Sequence, residues 1–444
     1  MTVEPHHSQA VEAAHIRVHK QSTRKTLVGI GTGNAMEWYD WNVYATFAAF
    51  FSHQFFHSGD PVTDLLSTLA IFAVGFVARP FGGFVFGWIA DRKGRQLSMT
   101  IAVALASVGS LVIGITPTYS TIGVLAPIIL LICRLLQGLA HGGELPSAQT
   151  YLSEMAPREK RGLWSSLIYF SGTIGVLFGT LLGAVLAMLL DKTQMGDFGW
   201  RIPFILGGLF GFYALYLRSK MTETEIFVED AEMEEDEGHG ERPSVLRAIL
   251  AHPKLLLQVI GLVIGLTVIY YTWAVAAPAY SITVRHMSAE GALWAGVFAN
   301  LIFLIVLPLW GALSDRIGRK PVMLIGTVLI VVLMFPLSWL VKDQAWQLFV
   351  AMAIALILLG STTAVVPAVY AEMFPTSIRA TGLGVPYSIA VALFGGTAGL
   401  IQTAFADAGN PNAFNWYAMA MGVISILTIL TLKETKGKDL AEDD

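Results

Sequence analysis

The chain has 444 residues, of which 55% are hydrophobic and only 14% are charged, against about 25% charged in an ordinary soluble domain. The formal net charge is −4 and the mean hydropathy is +0.62, so too few charges are present to cover a soluble surface. This composition excludes a soluble enzyme and indicates a protein that lies in lipid. The only cysteine, Cys133, excludes an intrachain disulfide and a multi-thiolate metal site.

Apolar runs of about 20 residues, the length that crosses a bilayer, recur along the chain. The polar, His-rich residues 1–25 precede them and lack the features of a secretory signal, so the first run is predicted to be retained as a helix. We predict twelve membrane-spanning helices, over residues 26–56, 64–90, 97–117, 121–150, 162–190, 202–219, 254–280, 292–314, 321–341, 345–370, 383–405 and 414–432.

Lysine and arginine are distributed unequally between the two sides of these spans. The two tails and the loops on their side contain 22 of the 28 Lys and Arg residues, the opposite loops contain four, and Arg79 and Arg134 lie within spans. Cytoplasmic loops carry the excess of positive charge in membrane proteins. Both termini are therefore predicted to be cytoplasmic, in a multi-pass protein of the cell inner (plasma) membrane.

The stretch 220–253 divides the chain near its middle and has ten acidic residues between Glu223 and Glu241. Such a charge run is typical of a solvated segment. We predict a cytoplasmic linker between two bundles of six helices, 26–219 and 254–432, followed by a cytoplasmic tail, 433–444. The predicted fold class is an all-α membrane protein with twelve helices in two halves.

Two loop motifs occur once in each half. A G-x-x-x-D-R-x-G-R motif begins at Gly87 and recurs at Gly311, and a Glu…Arg motif begins at Glu154 and recurs at Glu372, about 220 residues later in both cases. Acid–base pairs in equivalent loops can form in one conformation and separate in another, so we interpret them as a gate. The alternative is a positively charged loop that only sets topology. The candidate gating residues are Gly87, Asp91, Arg92, Gly94, Arg95, Glu154, Arg161, Asp315, Arg316, Arg319, Glu372 and Arg379.

Charged side chains are predicted deep within the first half. At 1.5 Å per residue, Glu37 and Asp40 on the first helix, Arg79 on the second and Arg134 on the fourth fall near the middle of a core about 30 Å thick. A charge at that depth costs at least about 2.5 kcal/mol and persists when it is paired or solvated. These residues predict a functional site, with a structural ion-pair network as the alternative.

Roles for these residues follow from their chemistry. Arg134 is expected to bind a substrate carboxylate, because a guanidinium keeps its charge and offers a bidentate fork. Asp40 or Glu37 is expected to carry a proton, with His141 and Glu144 as a relay toward the cytoplasm, although Glu144 could instead stabilise the fold. The second half has no ionisable residue at this depth, so we expect it to select shape. The substrate-binding candidates are Arg134, Arg79, Tyr44, Gln137, Tyr270, Tyr271, Trp273 and Tyr387.

Several motifs resemble a known family. The duplicated loop motif, the two-half layout and the sequence Arg134-Leu-Leu-Gln137-Gly138 resemble the major facilitator superfamily. The segments Gly33-Asn34-Ala-Met-Glu37-Trp38-Tyr39-Asp40, Arg79-Pro80-Phe-Gly82-Gly83 and Gly142-Gly143-Glu144 are similar to its metabolite:proton symporter family, and the first two hundred residues look most similar to 2-oxoglutarate permeases. The resemblance implies proton-coupled uptake of a small organic metabolite, such as 2-oxoglutarate or another organic acid, by alternating access.

Two other transport functions are weighed against this one. They are symport of a zwitterionic osmolyte of the proline/betaine type and proton-coupled efflux. ATP-driven pumping is unsupported because no G-x-x-x-x-G-K-[ST] phosphate loop is present. We expect no catalytic residue, no cofactor, no metal site and no nucleic-acid partner. The expected partners are a small-molecule substrate, protons and the lipid bilayer, and the protein is expected to function as a monomer.

Overall fold

The computed structural model describes residues 23–93, 95–142, 149, 152–153, 155–218, 252–374 and 379–440. Helical segments in these ranges fall on all twelve predicted spans. In the first half they are α1 (Thr23–Phe55), α2 (Pro61–Val77, continuing as Arg79–Lys93), α3 (Arg95–Ile115), α4 (Leu125–Ala140), α5 (Arg161–Leu189) and α6 (Arg201–Arg218).

The second half repeats this arrangement. Its helices are α7 (Pro253–Tyr270, continuing as Tyr271–Ala276 and Ala277–Thr283), α8 (Ala289–Ile317), α9 (Arg319–Leu340), α10 (Ala345–Thr363, continuing as Val366–Met373), α11 (Arg379–Ala390, continuing as Val391–Gly395 and Ala398–Asp407) and α12 (Pro411–Thr431). Eight helices of the described chain are long and apolar enough, by length and composition, to cross a membrane. The prediction of an all-α membrane fold with twelve helices in two halves is confirmed.

Polar side chains and prolines mark where several helices begin. Asp60 precedes α2 and accepts a hydrogen bond of 2.8 Å from the backbone N–H of Thr63, with Pro61 in the first turn. Ser288 accepts a hydrogen bond of 3.2 Å from the N–H of Gly291 at the start of α8. Such residues satisfy N–H groups that a helix leaves without an internal partner. The local sequence therefore fixes where these helices start.

Helix packing follows the same pattern in both halves. The pairs α1–α5, α2–α4 and α3–α6 pack together in the first half, and α7–α11, α8–α10 and α9–α12 pack together in the second. Between the halves, α5 packs along α8. The internal repeat in the sequence is thus a repeat in the tertiary structure.

Glycine lets α2 and α4 cross in backbone contact. A Cβ added to Gly138 would lie 1.9 Å from the carbonyl oxygen of Gly75, and one added to Gly142 would lie 2.0 Å from that of Arg79. No larger residue fits at either position without a shift of the backbone. The close crossing draws the two arginine-bearing helices together beside α1.

Several predicted boundaries lie outside the described residues. These include residues 1–22 of the amino-terminal tail, 219–251 around the acidic linker, and 441–444. The first helix begins at Thr23, within the predicted tail. The division of the chain at the linker stays a prediction.

Candidate functional site

Arg134 lies on α4 and is fully buried within the first half. Its guanidinium carbon is 4.2 Å from the ring centre of Trp41 and 4.3 Å from that of Tyr44. Nη1 donates a hydrogen bond of 2.7 Å to Gln137 Oε1. The Nε and Nη2 groups have no hydrogen-bond partner among the described residues. Two nitrogens of Arg134 thus keep N–H donors for an acceptor such as a carboxylate.

Asp40 is held by two side chains from neighbouring helices. Gln137 Nε2 donates a hydrogen bond of 2.8 Å to Asp40 Oδ2, and the Ser110 hydroxyl on α3 donates to Oδ1. Gln137 Nε2 also lies 2.9 Å from Ser110 Oγ. Because the other end of the same amide accepts from Arg134, Gln137 bridges the guanidinium and the carboxylate. The two charges act on each other through one hydrogen-bonded side chain.

A second acid–base pair lies beside the first. Arg79 Nη2 is 3.5 Å from Glu37 Oε1, and both side chains are buried. The Arg79 guanidinium carbon is 4.3 Å from the Trp41 ring centre, so Trp41 contacts both arginines. The structure therefore brings together the two acids and two arginines that the sequence placed at one depth.

Tyr44 and His141 also belong to this layer. The Tyr44 hydroxyl donates a hydrogen bond of 3.0 Å to the carbonyl oxygen of Thr68. His141 lies at the end of α4 with its ring 6.2 Å from that of Trp41, and its Nε2 has no hydrogen-bond partner in the described ranges. Glu144, the other predicted relay residue, lies outside the described residues. His141 thus lies beside Trp41, and the proton relay stays a prediction.

Three of the predicted second-half residues meet the first half in one group of rings. We call this group the interface aromatic cluster, and its members are Trp38, Tyr169, Tyr270, Tyr271 and Tyr387. The Trp38 ring lies 5.1 Å from Tyr270 and stacks 6.3 Å from Tyr271. The Tyr169 ring lies 5.9 Å from Tyr270 and interacts electrostatically with Tyr387. Phenol and indole rings of both halves thus form a rigid wall with polar edges.

The cluster lies next to the Glu37–Arg79 pair. The Tyr271 ring is 5.2 Å from that of Phe76, which in turn lies 4.4 Å from the Arg79 guanidinium carbon. Both charges of the pair act electrostatically on Tyr271. Of the two arginines, Arg79 is therefore the nearer to the second half, while Trp41, Tyr44 and Phe72 surround Arg134.

Trp273 was grouped with these aromatic residues by sequence, but its side chain lines a separate cavity inside the second half. That cavity lies between α7, α9, α10, α11 and α12. Trp273 belongs to the same irregular segment of α7, Tyr271–Ala276, as the cluster residue Tyr271. Two residues on one segment thus face two different sites.

Predicted gating residues form a network at the end of the bundle where α8 meets α9. Glu372 at the end of α10 accepts from Arg161 Nη1 at 3.0 Å and from Arg319 Nη2 at 3.2 Å, and Arg319 Nη1 lies 2.6 Å from Asp315. Arg161 belongs to the first half and the other three to the second, so the network joins the halves. We refer to Arg161, Asp315, Arg319 and Glu372 as the latch.

The latch also uses the start of α5. The N–H groups of Gly162 and Leu163 donate hydrogen bonds of 2.8 and 2.9 Å to the two carboxylate oxygens of Asp315. A helix N-terminus carries partial positive charge, which favours a carboxylate there. A Cβ on Gly162 would lie 2.2 Å from Ser314 Oγ, so this approach of α5 to α8 requires glycine. In this conformation the two halves are closed at this end.

The remaining gating candidates are placed differently. Arg316 is exposed, beside the latch. Gly94 and Glu154 lie outside the described residues, and so do the side chains of Asp91, Arg92, Arg95 and Arg379, together with the surroundings of Gly87. A first-half counterpart of the latch stays a prediction.

The carboxyl-terminal tail crosses the latch. Glu434 accepts hydrogen bonds from the backbone N–H groups of Arg319 and Lys320 at 2.8 and 3.1 Å, and the Thr435 hydroxyl donates to Glu372 Oε2 at 2.6 Å. The carbonyl oxygen of Lys438 accepts from Arg161 Nη1 at 2.9 Å. The tail thereby contacts latch residues of both halves.

Several of these residues were missed by sequence reasoning. Ser110, Trp38 and Tyr169 are ordinary residues of apolar helices, and nothing in their local sequence shows which face they occupy. A polar pair at Ser107 and Ser110, one turn apart on α3, is the only sequence signal for the Asp40 partner. Within the described ranges, no three His, Cys, Asp or Glu side chains are grouped as a metal site requires.

Comparison with known proteins places the chain among membrane transporters. The family described as Sugar (and other) transporter matches residues 25–241, and the family described as Major Facilitator Superfamily matches residues 262–443. The chain is 34% identical to the alpha-ketoglutarate permease of Escherichia coli (strain K12), over 98% of this chain and 99% of that protein. It is also 34% identical to the proline/betaine transporter of the same organism, over 94% of this chain and 85% of that protein.

Solved structures confirm the fold. The crystal structure of a D-xylose-proton symporter superposes with a TM-score of 0.72 at 20% identity, covering 93% of this chain and 98% of the symporter. A partially occluded inward-open structure of the xylose transporter XylE from E. coli gives a TM-score of 0.71 at 19% identity, with the same coverage. At these identities the likeness concerns the fold alone.

Proposed function

The chain belongs to the major facilitator superfamily, as a multi-pass membrane transporter of small molecules, and on that premise we propose that it takes up a small organic acid together with protons. An acid of the 2-oxoglutarate type is the proposed substrate class. The similarity to an alpha-ketoglutarate permease over nearly the whole chain supports it. We place the protein in the inner membrane, as a monomer with both termini in the cytoplasm.

The observation that carries this proposal is the buried guanidinium of Arg134. Its Nε and Nη2 groups have no partner among the described residues, although the side chain is fully buried. Buried charged donors in proteins are normally hydrogen-bonded, since leaving them unpaired is costly. A substrate carboxylate would satisfy both groups as a bidentate ligand.

Substrate binding at Arg134 would act on Asp40 through Gln137. In the present structure Arg134 orients the Gln137 oxygen, which leaves the Gln137 nitrogen to donate to Asp40. A substrate carboxylate on Nε and Nη2 would offset the positive charge of Arg134 and so weaken the hold of this bridge on ionised Asp40. Since burial itself favours the neutral carboxyl form, Asp40 would then take up a proton. This sequence couples substrate binding to proton binding.

Glu37 and His141 occupy supporting positions in this scheme. Glu37 is paired with Arg79 beside Tyr271, so its protonation would release Arg79 toward the interface aromatic cluster. His141 lies on the α4 stripe that includes Arg134 and Gln137, one turn past Gln137. We assign Asp40 as the primary proton carrier, Glu37 as a second carboxyl that responds to it, and His141 with Glu144 as the relay.

Alternating access requires the closed elements to open in turn. The latch joins the halves at one end, and the rings of Trp41, Tyr44 and Phe72 cover Arg134. Opening of the latch would release the end that we assign to the cytoplasm. Movement of these rings would expose Arg134 to a substrate in the space between the halves.

Uptake into proteoliposomes tests the proposal. Purified protein is reconstituted, and radiolabelled 2-oxoglutarate uptake is measured with a pH gradient and a membrane potential imposed separately. Accumulation driven by the pH gradient, and abolished by a protonophore, is expected. If the uptake of every tested organic acid and osmolyte ignored the pH gradient, proton symport would be wrong.

A zwitterionic osmolyte is a second candidate substrate, and the interface aromatic cluster is the observation that favours it. Trp38, Tyr270 and Tyr271 offer three ring faces within 6.3 Å of one another, and aromatic faces attract quaternary ammonium groups. Competition for uptake decides between the two classes. Inhibition by glycine betaine and proline but not by dicarboxylates would replace the organic acid with an osmolyte.

A further inference from the structure

A cavity of about 30 Å³ lies inside the second half. All of its lining residues belong to the second half, from α7 and α9 through α12 and their ends. Arg285 follows α7, Val341 follows α9 and Pro411 begins α12, so the cavity opens at the helix ends opposite the latch. It is therefore separate from the site around Arg134 and Asp40.

Four polar atoms of its lining side chains are buried without a hydrogen-bond partner among the described residues. They are Trp273 Nε1, Ser281 Oγ, Arg285 Nε and Gln402 Oε1. Trp273 and Ser281 are only 5% and 1% exposed. Three of the four groups can donate a hydrogen bond and one can only accept. A ligand that offers several hydrogen-bond acceptors would therefore satisfy most of these groups.

The charge in the cavity points to the same class of ligand. Among the described residues that line it, Arg285 has the one charged side chain and none is a carboxylate. The Arg285 guanidinium carbon lies 6.0 Å from the Tyr280 ring centre, which holds this half-buried side chain over the cavity wall. A fixed cation beside buried N–H and O–H donors in a site of low polarity favours an anion.

We propose that this cavity binds a small anion, either a halide ion or the carboxylate group of a short organic acid. Trp273 Nε1, the Ser281 hydroxyl and the Arg285 guanidinium are its donors. Both ligands carry one negative charge, and these three donors are sufficient to bind either of them. The site lies on the face of the protein that we assign to the outside.

Binding here bears on the rest of the molecule through α7. Trp273 belongs to the π-helical segment Tyr271–Ala276, whose first residue packs on Phe76 and Trp38 at the interface between the halves. Single π-helical turns within α-helices occur frequently at functional sites. An anion held by Trp273 therefore stabilises the segment that presents Tyr271 to the first half.

Thermal unfolding of the full-length protein in lipid nanodiscs tests the proposal, since a ligand that binds only the folded state raises the midpoint. Sodium chloride and sodium acetate are each titrated against sodium gluconate at constant ionic strength, without substrate. We expect the unfolding midpoint to rise and saturate as chloride, acetate or both are added. A rise with chloride alone identifies a halide site, and a rise with acetate alone identifies a carboxylate site. Equal unfolding midpoints in all three salts would overturn the proposal, because they would show that neither chloride nor acetate binds the folded protein in preference to gluconate.

Variants assign the effect to this cavity. Arg285→Gln is expected to weaken the anion affinity about tenfold or more, and Trp273→Phe is expected to weaken it severalfold with little change in shape. Lys342→Gln removes an exposed charge between α9 and α10 and serves as the matched control, with wild-type affinity expected. If the response persisted in Arg285→Gln and Trp273→Phe but vanished in Arg134→Lys, the anion would bind at the central site, and this proposal would be wrong while the proposed function stood.

Discussion

Arg134 and Asp40 are joined by a single amide. The Gln137 oxygen lies 2.7 Å from Arg134 Nη1, and the Gln137 nitrogen lies 2.8 Å from Asp40 Oδ2. A guanidinium and a carboxylate in direct contact would neutralise each other and hold the acid ionised. An intervening amide instead transmits the state of one group to the other, because its two ends rotate together. Under the proposed function, this geometry would make the protonation of Asp40 on α1 sensitive to an anion bound at Arg134 on α4.

Asp40→Asn should abolish accumulation of substrate against its concentration gradient but preserve exchange of substrate across the membrane. Asparagine fills the same space and still meets Ser110 and Gln137, but it cannot gain or lose a proton. We expect no accumulation driven by a pH gradient, with counterflow of labelled substrate retained. Asp343→Asn, at an exposed loop residue, is the control. Normal accumulation in Asp40→Asn would remove this residue from proton coupling.

Gln137→Met should separate substrate binding from proton uptake. Methionine keeps the length of the side chain but removes its hydrogen bonds to Arg134, Asp40 and Ser110, so Asp40 no longer responds to Arg134. The lost buried hydrogen bonds should cost about 1–3 kcal/mol of stability. The measurement is protons taken up per substrate bound, followed with a pH indicator in weak buffer. Gln258→Met, at a buried amide of the second half bonded to Thr431, is the matched variant and should keep the wild-type ratio.

Arg134→Lys should weaken carboxylate binding about 10-fold to 100-fold, the loss that follows when a bidentate contact becomes a single one. Equilibrium binding of 2-oxoglutarate to detergent-purified protein measures it. Arg201→Lys is the control, since Arg201 also stacks on a tryptophan but lies at the start of α6. Unchanged affinity in Arg134→Lys together with a loss in Arg79→Lys would move the substrate contact to Arg79.

Glu372→Gln should open the latch. The change removes the anion that Arg161 and Arg319 share, and breaking a buried pair costs about 3–5 kcal/mol. Ser153 lies between the halves near the latch, with its hydroxyl directed at the Pro367 carbonyl. In a Cys133→Ser background, a cysteine introduced by Ser153→Cys should react faster with a maleimide when Glu372→Gln is present.

The exposed ion pair of Arg158 and Asp439 is the control for the buried ion pairs of the latch. These side chains lie 3.5 Å apart and are 50% and 42% exposed, so Arg158→Gln should cost less than about 1 kcal/mol and leave the labelling rate unchanged. Equal labelling rates with and without Glu372→Gln would show that the latch does not hold this end closed.

Gly162→Ala should force α5 and α8 apart. The new Cβ would meet Ser314 Oγ at 2.2 Å and the Gly311 carbonyl oxygen at 2.7 Å. Such overpacking costs about 1–3 kcal/mol, and it should lower the thermal midpoint while raising the labelling rate at the latch. Gly31→Ala is the matched change, because its Cβ would lie 3.5 Å from Ser171 Cβ in ordinary contact. A wild-type midpoint in Gly162→Ala would contradict the close crossing.

Much of the fold was predictable because lipid restricts what a chain can do. Backbone groups must be hydrogen-bonded within each span, so long apolar runs such as 292–314 and 345–370 were expected to be helices. The glycines and acids of the duplicated loops revealed the two halves. The interface aromatic cluster was only partly predictable. Tyr270, Tyr271 and Tyr387 were expected, whereas Trp38 and Tyr169 were not, since aromatic side chains in a membrane-spanning helix can face either lipid or another helix.

The sequence by itself determined the twelve helices, the internal repeat and the depth of Glu37, Asp40, Arg79 and Arg134. These properties depend on helix length, periodicity and the cost of a charge in hydrocarbon, all of which are local. Only the tertiary structure decided how the charges pair. It placed Gln137 between Arg134 and Asp40. It directed the Trp273 side chain toward a separate cavity, and it set Asp315 and Glu372 against the start of α5. Such choices depend on how α1, α2 and α4, or α5 and α8, cross, and that is fixed by glycine contacts between residues far apart in the chain.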